Sequence, residues 1–309
     1  MLSKLTDLVN RTVGFDVKEL RDELDAYLHT VAGWREHVAI WQNETSDAID
    51  YLRERTIAQT ALVREARDDI EGLRAQLEAA RRRPEYEAAF AEAEPKVSVR
   101  IASYHRPEKL VDIAIASVRQ QTYENWELIV VNDGPDERNR RAVDSIGDAR
   151  IRYEELPVRG PYPEHPHSRW QVAGAAAMNR GAELATGTWV APLDDDDAFT
   201  PDHIEKLVGL ARAERAELAY GALVQHNLAL GEDKLIWSSP PAIGAFSFQS
   251  AVYLRMLDFF RYDEQSWLVG EPGDWNLVRR MTMAGIRHSA IQDVVAEVNM
   301  IPYTVKEDE

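Results

Sequence analysis

The sequence predicts an α/β domain over residues 95–309, a mostly parallel sheet flanked by helices, preceded over residues 1–94 by a long helical, coiled-coil-like region for oligomerisation or docking. Three observations carry this expectation. Up to about Leu77 the apolar residues step by three and four, the period of a helical stripe. Beyond Pro95 short β-rich runs alternate with helical segments, the rhythm of strands joined by crossover helices. Polar residues close three of those apolar runs, and in an open parallel sheet the strand ends form the ligand crevice.

Taken in order, Met1–Val13 lacks the apolar core of a secretory leader. From Leu20 the stripe runs through Leu24, Tyr27, Val31, Trp34, Val38 and Trp41, slips near Ala48 and Ile49, and resumes through Leu52, Val63, Ala66, Ile70, Leu73 and Leu77. A near-heptad seam with one phase slip is expected of a helix that pairs with a second copy or a partner through residues 20–80; the alternative is a helix folded back on its own catalytic domain. Gly33 and Gly72 weaken an unbroken helix. Arg81, Arg82 and Arg83 before Pro84 mark its end, as solvated charges complementing the macrodipole. Residues 85–94 read as a charged linker.

Val97–Ala102 reads as the first strand, and Pro107 opens a helix carrying Leu110, Ala114 and Val118. Trp126–Val131 is the second strand, followed by a helix near residues 136–146 and a third strand at Ile151–Glu155. A proline-rich loop over residues 157–169 leads to a helix around Asn179, and Trp189–Leu193 is the fourth strand. Thr200-Pro201 reads as an N-cap with proline at the first helical position. Trp170, Phe246, Phe248 and Tyr253 are assigned to the core, and His165 and His167, in the proline-rich loop, to solvent.

With 36 basic and 53 acidic residues, the net charge of -17 argues against nucleic acid or an anionic membrane as the main partner. An anionic substrate then needs a local cation or arginines. The absence of cysteine excludes disulfides, thiolate zinc sites and a cysteine nucleophile. No apolar run approaches the ~20 residues of a transmembrane helix, so no transmembrane segment is expected and the cytoplasm is the default location.

The first strand ends in Ser103-Tyr104-His105-Arg106-Pro107, the second in Asn132-Asp133-Gly134 and the fourth in Asp194-Asp195-Asp196-Asp197. Four adjacent carboxylates repel by roughly 3 kcal/mol per close pair at an effective dielectric near 20, so the run calls for a cation; the alternative is a solvated acidic turn capping the next helix. The three strand ends converge in a doubly wound sheet on a crevice lined by Tyr104, Arg106, Asp133 and the carboxylates.

These segments, together with Glu127–Gly134 and Ala177-Met178-Asn179-Arg180-Gly181, resemble the ordered motifs of glycosyltransferase family 2, over about two thirds of the chain. The resemblance implies a GT-A fold, inversion at the anomeric carbon and a nucleotide-sugar donor, UDP first and dTDP or GDP next, with a saccharide or other hydroxyl acceptor in polysaccharide or glycoconjugate synthesis. It implies nucleotide contacts from Ser103, Tyr104, Arg106, Asp133, Asn179, Arg180, Asp194 and Asp195, with Tyr104 and Asp133 on the nucleoside. Asp196 and Asp194 match the outer positions of the DxD metal motif, holding Mn2+ or Mg2+. The acidic pair before a tryptophan matches Glu271-Pro272-Gly273-Asp274-Trp275, which implies Asp274 as the catalytic base and Glu271 as second choice; Asp274 as a mere helix cap is the alternative.

Chemistry supports this apart from the resemblance. A departing diphosphate gathers charge that a hard cation bound by oxygens stabilises, and the attacking hydroxyl needs a base. Arg106, Arg169 and Arg180 are the nearest candidates to share that charge. The pattern departs from the family at Met178, where arginine is usual, and at Ala296–Asn299, where a histidine often completes the metal shell; water, phosphate or Asn299 is left for that position. Nucleotidyl transfer on a related fold lacks its glycine-rich phosphate loop here, and an aspartyl nucleophile does not suit so late a position of the run. The competing reading from another class is a non-catalytic, nucleotide-binding scaffold acting through its coiled coil, which has no use for a base.

Overall fold

The structure is a computed structural model and describes residues 17–227 and 229–300; Met1–Val13 and the side chain of Leu20 lie outside what it describes. The chain divides into two compact units, Met1–Val63 and Arg64–Glu309. The helix Val17–Asp68, most of which makes up the first, passes Gly33 and the expected slip at Ala48 and Ile49 unbroken. Its stripe of Leu24, Tyr27, Trp34, Val38 and Trp41 lies open, Trp34 at 71% exposure.

The break comes at Asp69, whose backbone is left-handed (φ 41°) and whose carboxylate accepts from the Gly72 N–H at 3.1 Å. A Cβ on Gly72 would stand 2.2 Å from Asp69 Oδ2, so glycine lets this cap close. Two further helices, Ile70–Arg81 and Pro84–Ala91, follow. They bury Leu73, Leu77, Ala80, Tyr86, Ala89 and Phe90 in the second unit's core, where each large apolar side chain contributes about 1.5–3 kcal/mol.

The seam expected to continue to Leu77 for pairing is therefore core, and the linker expected over residues 85–94 is largely a packed helix. The boundary expected at 94/95 falls inside this unit. The cause is a buried carboxylate: Glu217 accepts from Arg81 Nε (2.7 Å) and Nη2 (2.8 Å) and from the Tyr86 hydroxyl (2.8 Å). Arg81 is thus an ion-pair partner rather than a solvated terminus. Periodicity reports that a face is apolar; it does not say whose core covers it.

One mixed sheet carries the second unit. Strands β1 (Val97–Ser103), β2 (Trp126–Asn132), β3 (Ile151–Glu155) and β4 (Trp189–Asp194) lie parallel in the order β3-β2-β1-β4. Beyond β5 (Ala198–Phe199), the strands β6 (Leu218–Asn227), β7 (Glu232–Ile236), β8 (Ala251–Leu254) and β9 (His288–Met300) extend it through β4-β8-β6-β9-β5, with β7 on β6. β1 is buried along its whole length and β2 along nearly all of it, as strands covered on both faces must be. The crossover after β1 begins at Pro107–Lys109 and continues through a π-helical turn, Leu110–Ile115, into Ala116–Arg119, with Leu110, Ala114 and Val118 fully buried. The helix Glu137–Asp144 starts where Asp136 accepts from the N–H groups of Arg138 (2.8 Å) and Asn139 (3.2 Å). Phe246, Phe248 and Tyr253 are core, as expected.

Candidate active site

Because β1 lies between β2 and β4, Ser103 stands beside Asn132 and Ala102 beside Asp194, and three strand ends open together. The Asp133 N–H donates to Ser103 O at 2.8 Å. Its carboxylate, buried, accepts from the Gly160 N–H at 3.0 Å, with Arg159 Nε 3.9 Å away. The Arg159 guanidinium lies 3.8 Å above the Tyr104 ring. Gly134 (φ 106°) permits this return of the loop, since a Cβ there would meet Arg159 N at 3.2 Å. His105, left-handed at φ 54°, turns the chain at the strand end and sets Nδ1 2.5 Å from Asp136 Oδ2. Burial alone would raise the Asp136 carboxyl, but His105 and the capped N–H groups hold it below its usual range.

The four aspartates each meet a different element. Asp194 Oδ2 accepts from Gln249 Nε2 at 2.5 Å, and Asp195 Oδ2 from Ser103 Oγ (2.8 Å) and the Tyr104 N–H (3.1 Å). Asp196 Oδ2 faces Arg106 Nη1 at 3.0 Å and Lys109 Nζ at 3.4 Å. Asp197 Oδ1 accepts from the Asn299 N–H at 2.8 Å, while Asn299 Nδ2 donates to Asp196 O at 2.5 Å. None caps the next helix, His203–Glu214, which begins behind Asp202 rather than Thr200. Burial first, then the charges of Asp274, Asp196 and Asp195, push Asp194 up to about 7. Burial raises Asp195 to about 6 against the pull of Arg106, and burial with Asp194 raises Asp197 well above its usual range.

A divalent cation fits this donor set. Mg2+ or Mn2+ takes one or two carboxylates and completes its shell with phosphate and water oxygens, so Asp194 and Asp196 suffice. No group of three or more acidic or histidine ligands gathers among the described residues. Asn299, considered for the third position, is engaged as a latch on the aspartate turn.

On the other side of Asp194 stands Asp274, half-buried in the first turn of the helix Gly273–Ala284. Its Oδ1 accepts from the Tyr262 hydroxyl (2.9 Å), and its Oδ2 from Ser247 Oγ (2.6 Å) and the Phe248 N–H (3.0 Å). Ser247 Oγ also lies within reach of Gln249 Oε1, and its single proton serves either that oxygen or Asp274, so Ser247 and Gln249 stand between Asp274 and Asp194. Glu271 is committed elsewhere: Arg279 and Asn276 hydrogen-bond its buried carboxylate, and Arg64 forms an ion pair with it.

Several expected residues are not brought to the crevice. Arg180 pairs with Glu154 and Glu183, both at 3.1 Å, and Arg169 donates to the carbonyls of Pro163 and Glu164. Asn179 spends its amide on the main chain of Tyr262, accepting at 2.9 Å and donating at 3.0 Å. Trp170, expected in the core, is 53% exposed and stacks on His167, because the short helix Pro166–Val172 turns Gln171 and Val172 inward instead. Lys109, Arg159, Ser247, Gln249 and Tyr262 were not foreseen. Lys109, one turn beyond Arg106, was open to helical spacing; the other four lie in loops or short turns without a periodic signal.

Residues 98–284 match the profile of glycosyl transferase family 2, more than half of the chain. The chain belongs to that family. Among curated members it is 34% identical to the uncharacterized glycosyltransferase YwdF of Bacillus subtilis (36% of this chain, 37% of that protein). It is 30% identical to the putative colanic acid biosynthesis glycosyl transferase WcaA of Escherichia coli (54% and 53%). It is 27% identical to an E. coli glucosyltransferase, WfgD (44% and 49%). The chain spans between about a third and half the length of these family 2 relatives. The crystal structure of Staphylococcus aureus TarS residues 1–349 with UDP superposes with a TM-score of 0.51 at 15% identity, covering 67% of this chain and 61% of that one. At that identity the likeness speaks to fold: a mixed sheet with flanking helices, similar to the GT-A fold of TarS. Among the described residues no helix is long and apolar enough to cross a membrane.

Proposed function

We propose that residues 64–300 transfer a sugar, with inversion, from a nucleotide-diphosphate donor to an acceptor hydroxyl, in polysaccharide or glycoconjugate synthesis. The observation that carries this is the pairing of two carboxylate sites, Asp194–Asp197 at the end of β4 and Asp274 on its own helix, with Gln249 and Ser247 between them. In this reading Tyr104 and Asp133 hold the nucleoside, and Arg106 and Lys109 neutralise phosphate charge. The acceptor oxygen attacks the anomeric carbon, the bond from that carbon to the diphosphate oxygen breaks, and the hydroxyl proton passes to Asp274. A Mn2+ or Mg2+ held by Asp196 and Asp194 would supply charge stabilisation for the leaving diphosphate. UDP is the first choice of nucleotide. WfgD is described as a UDP-Glc:alpha-D-GlcNAc-diphosphoundecaprenol beta-1,3-glucosyltransferase, and the TarS structure holds UDP, which supports that choice and a saccharide acceptor. The scaffold reading is the weaker, because it leaves Asp274 and its three donors without a purpose.

The test is a thermal-shift screen of the full chain against UDP-, dTDP- and GDP-sugars, with Mn2+ or with chelator. A shift that needs both nucleotide and metal, followed by nucleotide release on turnover, is expected. Binding without release for every sugar would favour the scaffold.

The helix Val17–Asp68 pairs with a second copy in this reading, since Leu24, Val31 and Val38 with Tyr27, Trp34 and Trp41 occupy alternating heptad positions. Sedimentation equilibrium on the wild type and on Trp34→Glu/Trp41→Glu tests it. A monomeric wild type removes the pairing.

A further inference from the structure

We infer that Tyr262, and the buried Arg100 behind it, are positioning residues that fix the orientation of the Asp274 carboxylate; the inference rests on Asp274 being the base. Arg100 lies in β1 and is only 1% exposed. A guanidinium so placed is expensive to desolvate, and a buried charge is normally matched by a carboxylate. Here Nη2 donates to the Tyr262 hydroxyl at 3.1 Å, Cζ lies 5.1 Å over the same ring, and Nε finds no partner. Among the described residues no carboxylate is hydrogen-bonded to it, and its charge reaches Asp194 only through space, so the cost in stability calls for a further explanation.

The hydrogen bonds supply one. A phenol oxygen that accepts from Arg100 has its own proton left for one direction, and that direction is Asp274 Oδ1, 2.9 Å away. Burial and the Asp274 charge raise the Tyr262 phenol well above its usual range, so it stays a donor. Tyr262 itself is held by both main-chain bonds to Asn179, and its ring packs where a Cβ on Gly273 would come within 3.1 Å. With Ser247 Oγ and the Phe248 N–H on Oδ2, the carboxylate is gripped on both oxygens by three donors from two segments. Removing the Tyr262 hydroxyl frees rotation on the Oδ1 side, and removing Arg100 frees the phenol proton to turn away. A base displaced by a fraction of an ångström loses rate while donor binding, set by Tyr104, Asp133 and the aspartate run, is untouched.

The test uses the full chain with Mn2+ and the panel of UDP-, dTDP- and GDP-sugars, scoring nucleotide release with water as acceptor, UDP affinity by calorimetry, and Tm. Tyr262→Phe and Arg100→Met are expected to lower kcat by about 10- to 100-fold, part of what a general base supplies. KM for the donor and the affinity for UDP are expected to stay at wild-type values in Tyr262→Phe; Arg100→Met also removes a positive charge acting on Asp194 and is read by kcat and Tm. Arg100→Met is expected to keep or raise Tm, since an apolar side chain replaces a buried charge, and Arg100→Lys to recover part of the lost rate. A merely structural role predicts the opposite pattern, a lower Tm with kcat and KM impaired together, and that result overturns the inference. So does wild-type kcat in Tyr262→Phe while Asp274→Asn is inactive. Wild-type release in Asp274→Asn overturns the base assignment itself, a separate failure.

Discussion

Replacing Asp194 by asparagine should stabilise the metal-free protein and abolish its response to metal. In the fold, burial and three neighbouring carboxylates raise Asp194 from 3.8 to about 7. The folded chain therefore holds this proton more tightly than the unfolded chain does. Its ionisation costs nothing below about pH 4, costs progressively more as pH rises between 3.8 and about 7, and costs the full amount above that. At about 1.4 kcal/mol per pH unit the full penalty is about 4 kcal/mol, an upper limit because part of the side chain meets solvent. Asparagine keeps an oxygen to accept from Gln249 Nε2 and carries no charge. The difference in unfolding free energy, variant minus wild type, should thus rise from near zero at pH 4 to about 2–4 kcal/mol at pH 8. Urea unfolding in chelator at several pH values measures it, and taking the difference cancels the titrating groups remote from the aspartate run, while Asp197 is relieved of the Asp194 charge as well. The wild type should gain Tm on adding Mn2+ with UDP, and the variant should not. A variant less stable than wild type at pH 8 would refute the reasoning, because it would mean that Asp194 is not held at an electrostatic cost.

Other expectations follow the same geometry. Asp274→Asn should lose nucleotide release by about 10²-fold or more while binding UDP normally, as turnover assays beside calorimetry would report. Glu271→Gln, which disturbs only the cluster with Arg279 and Arg64, should lower Tm and leave turnover nearly intact; an inactive but fully stable variant would return Glu271 to the site. Arg81→Ala takes two charged hydrogen bonds from buried Glu217, leaving it the Tyr86 hydroxyl, the Arg287 N–H and the Arg287 guanidinium at 3.8 Å, and should cost about 1.5–3 kcal/mol in urea unfolding. Glu127 is held down to about 2: burial opposes this, but Lys96, Ser98 and Thr186 outweigh it. The stability it contributes is present above about pH 4.5 and lost as pH falls toward 2, and Glu127→Gln should flatten that part of the acid-unfolding curve.

What sequence reading reached, and what it missed, divides along the range of the interactions. β1 to β4 and their helices were legible because each is a local pattern, and a parallel strand with its crossover leaves few topologies open. The β8-β6-β9 half was not, since β8 is four residues long and its place between β4 and β6 depends on distant pairing. The helices Ile70–Arg81 and Pro84–Ala91 were legible as apolar helix and charged segment, yet their ownership is decided by Glu217, 131 residues beyond Tyr86. At the site, the carboxylates announce themselves by clustering. Tyr262, Ser247 and Gln249 do not, because nothing in their own neighbourhoods marks them; only the fold brings them to Asp274 and Asp194.

The aspartate run shows why adjacency in sequence overstates repulsion in space. The chain leaves the sheet at Asp194 and turns before pairing β5 with β9, so successive side chains diverge. Asp195 turns to the end of β1, Asp196 to Arg106 and Lys109 beside the helix start, and Asp197 to the backbone of Asn299 in β9. Each of these three gains donors from a separate element. Asp194 and Asp197 have one amide donor each and lie in the field of the other carboxylates, and the residual electrostatic cost falls on these two. A cation bound by Asp194 would relieve part of that cost, while Asp196, already countered by Arg106 and Lys109, would have to exchange those partners for it. That exchange would free two positive side chains at the crevice where a diphosphate has to be held, so metal and donor binding should be mutually reinforcing rather than independent.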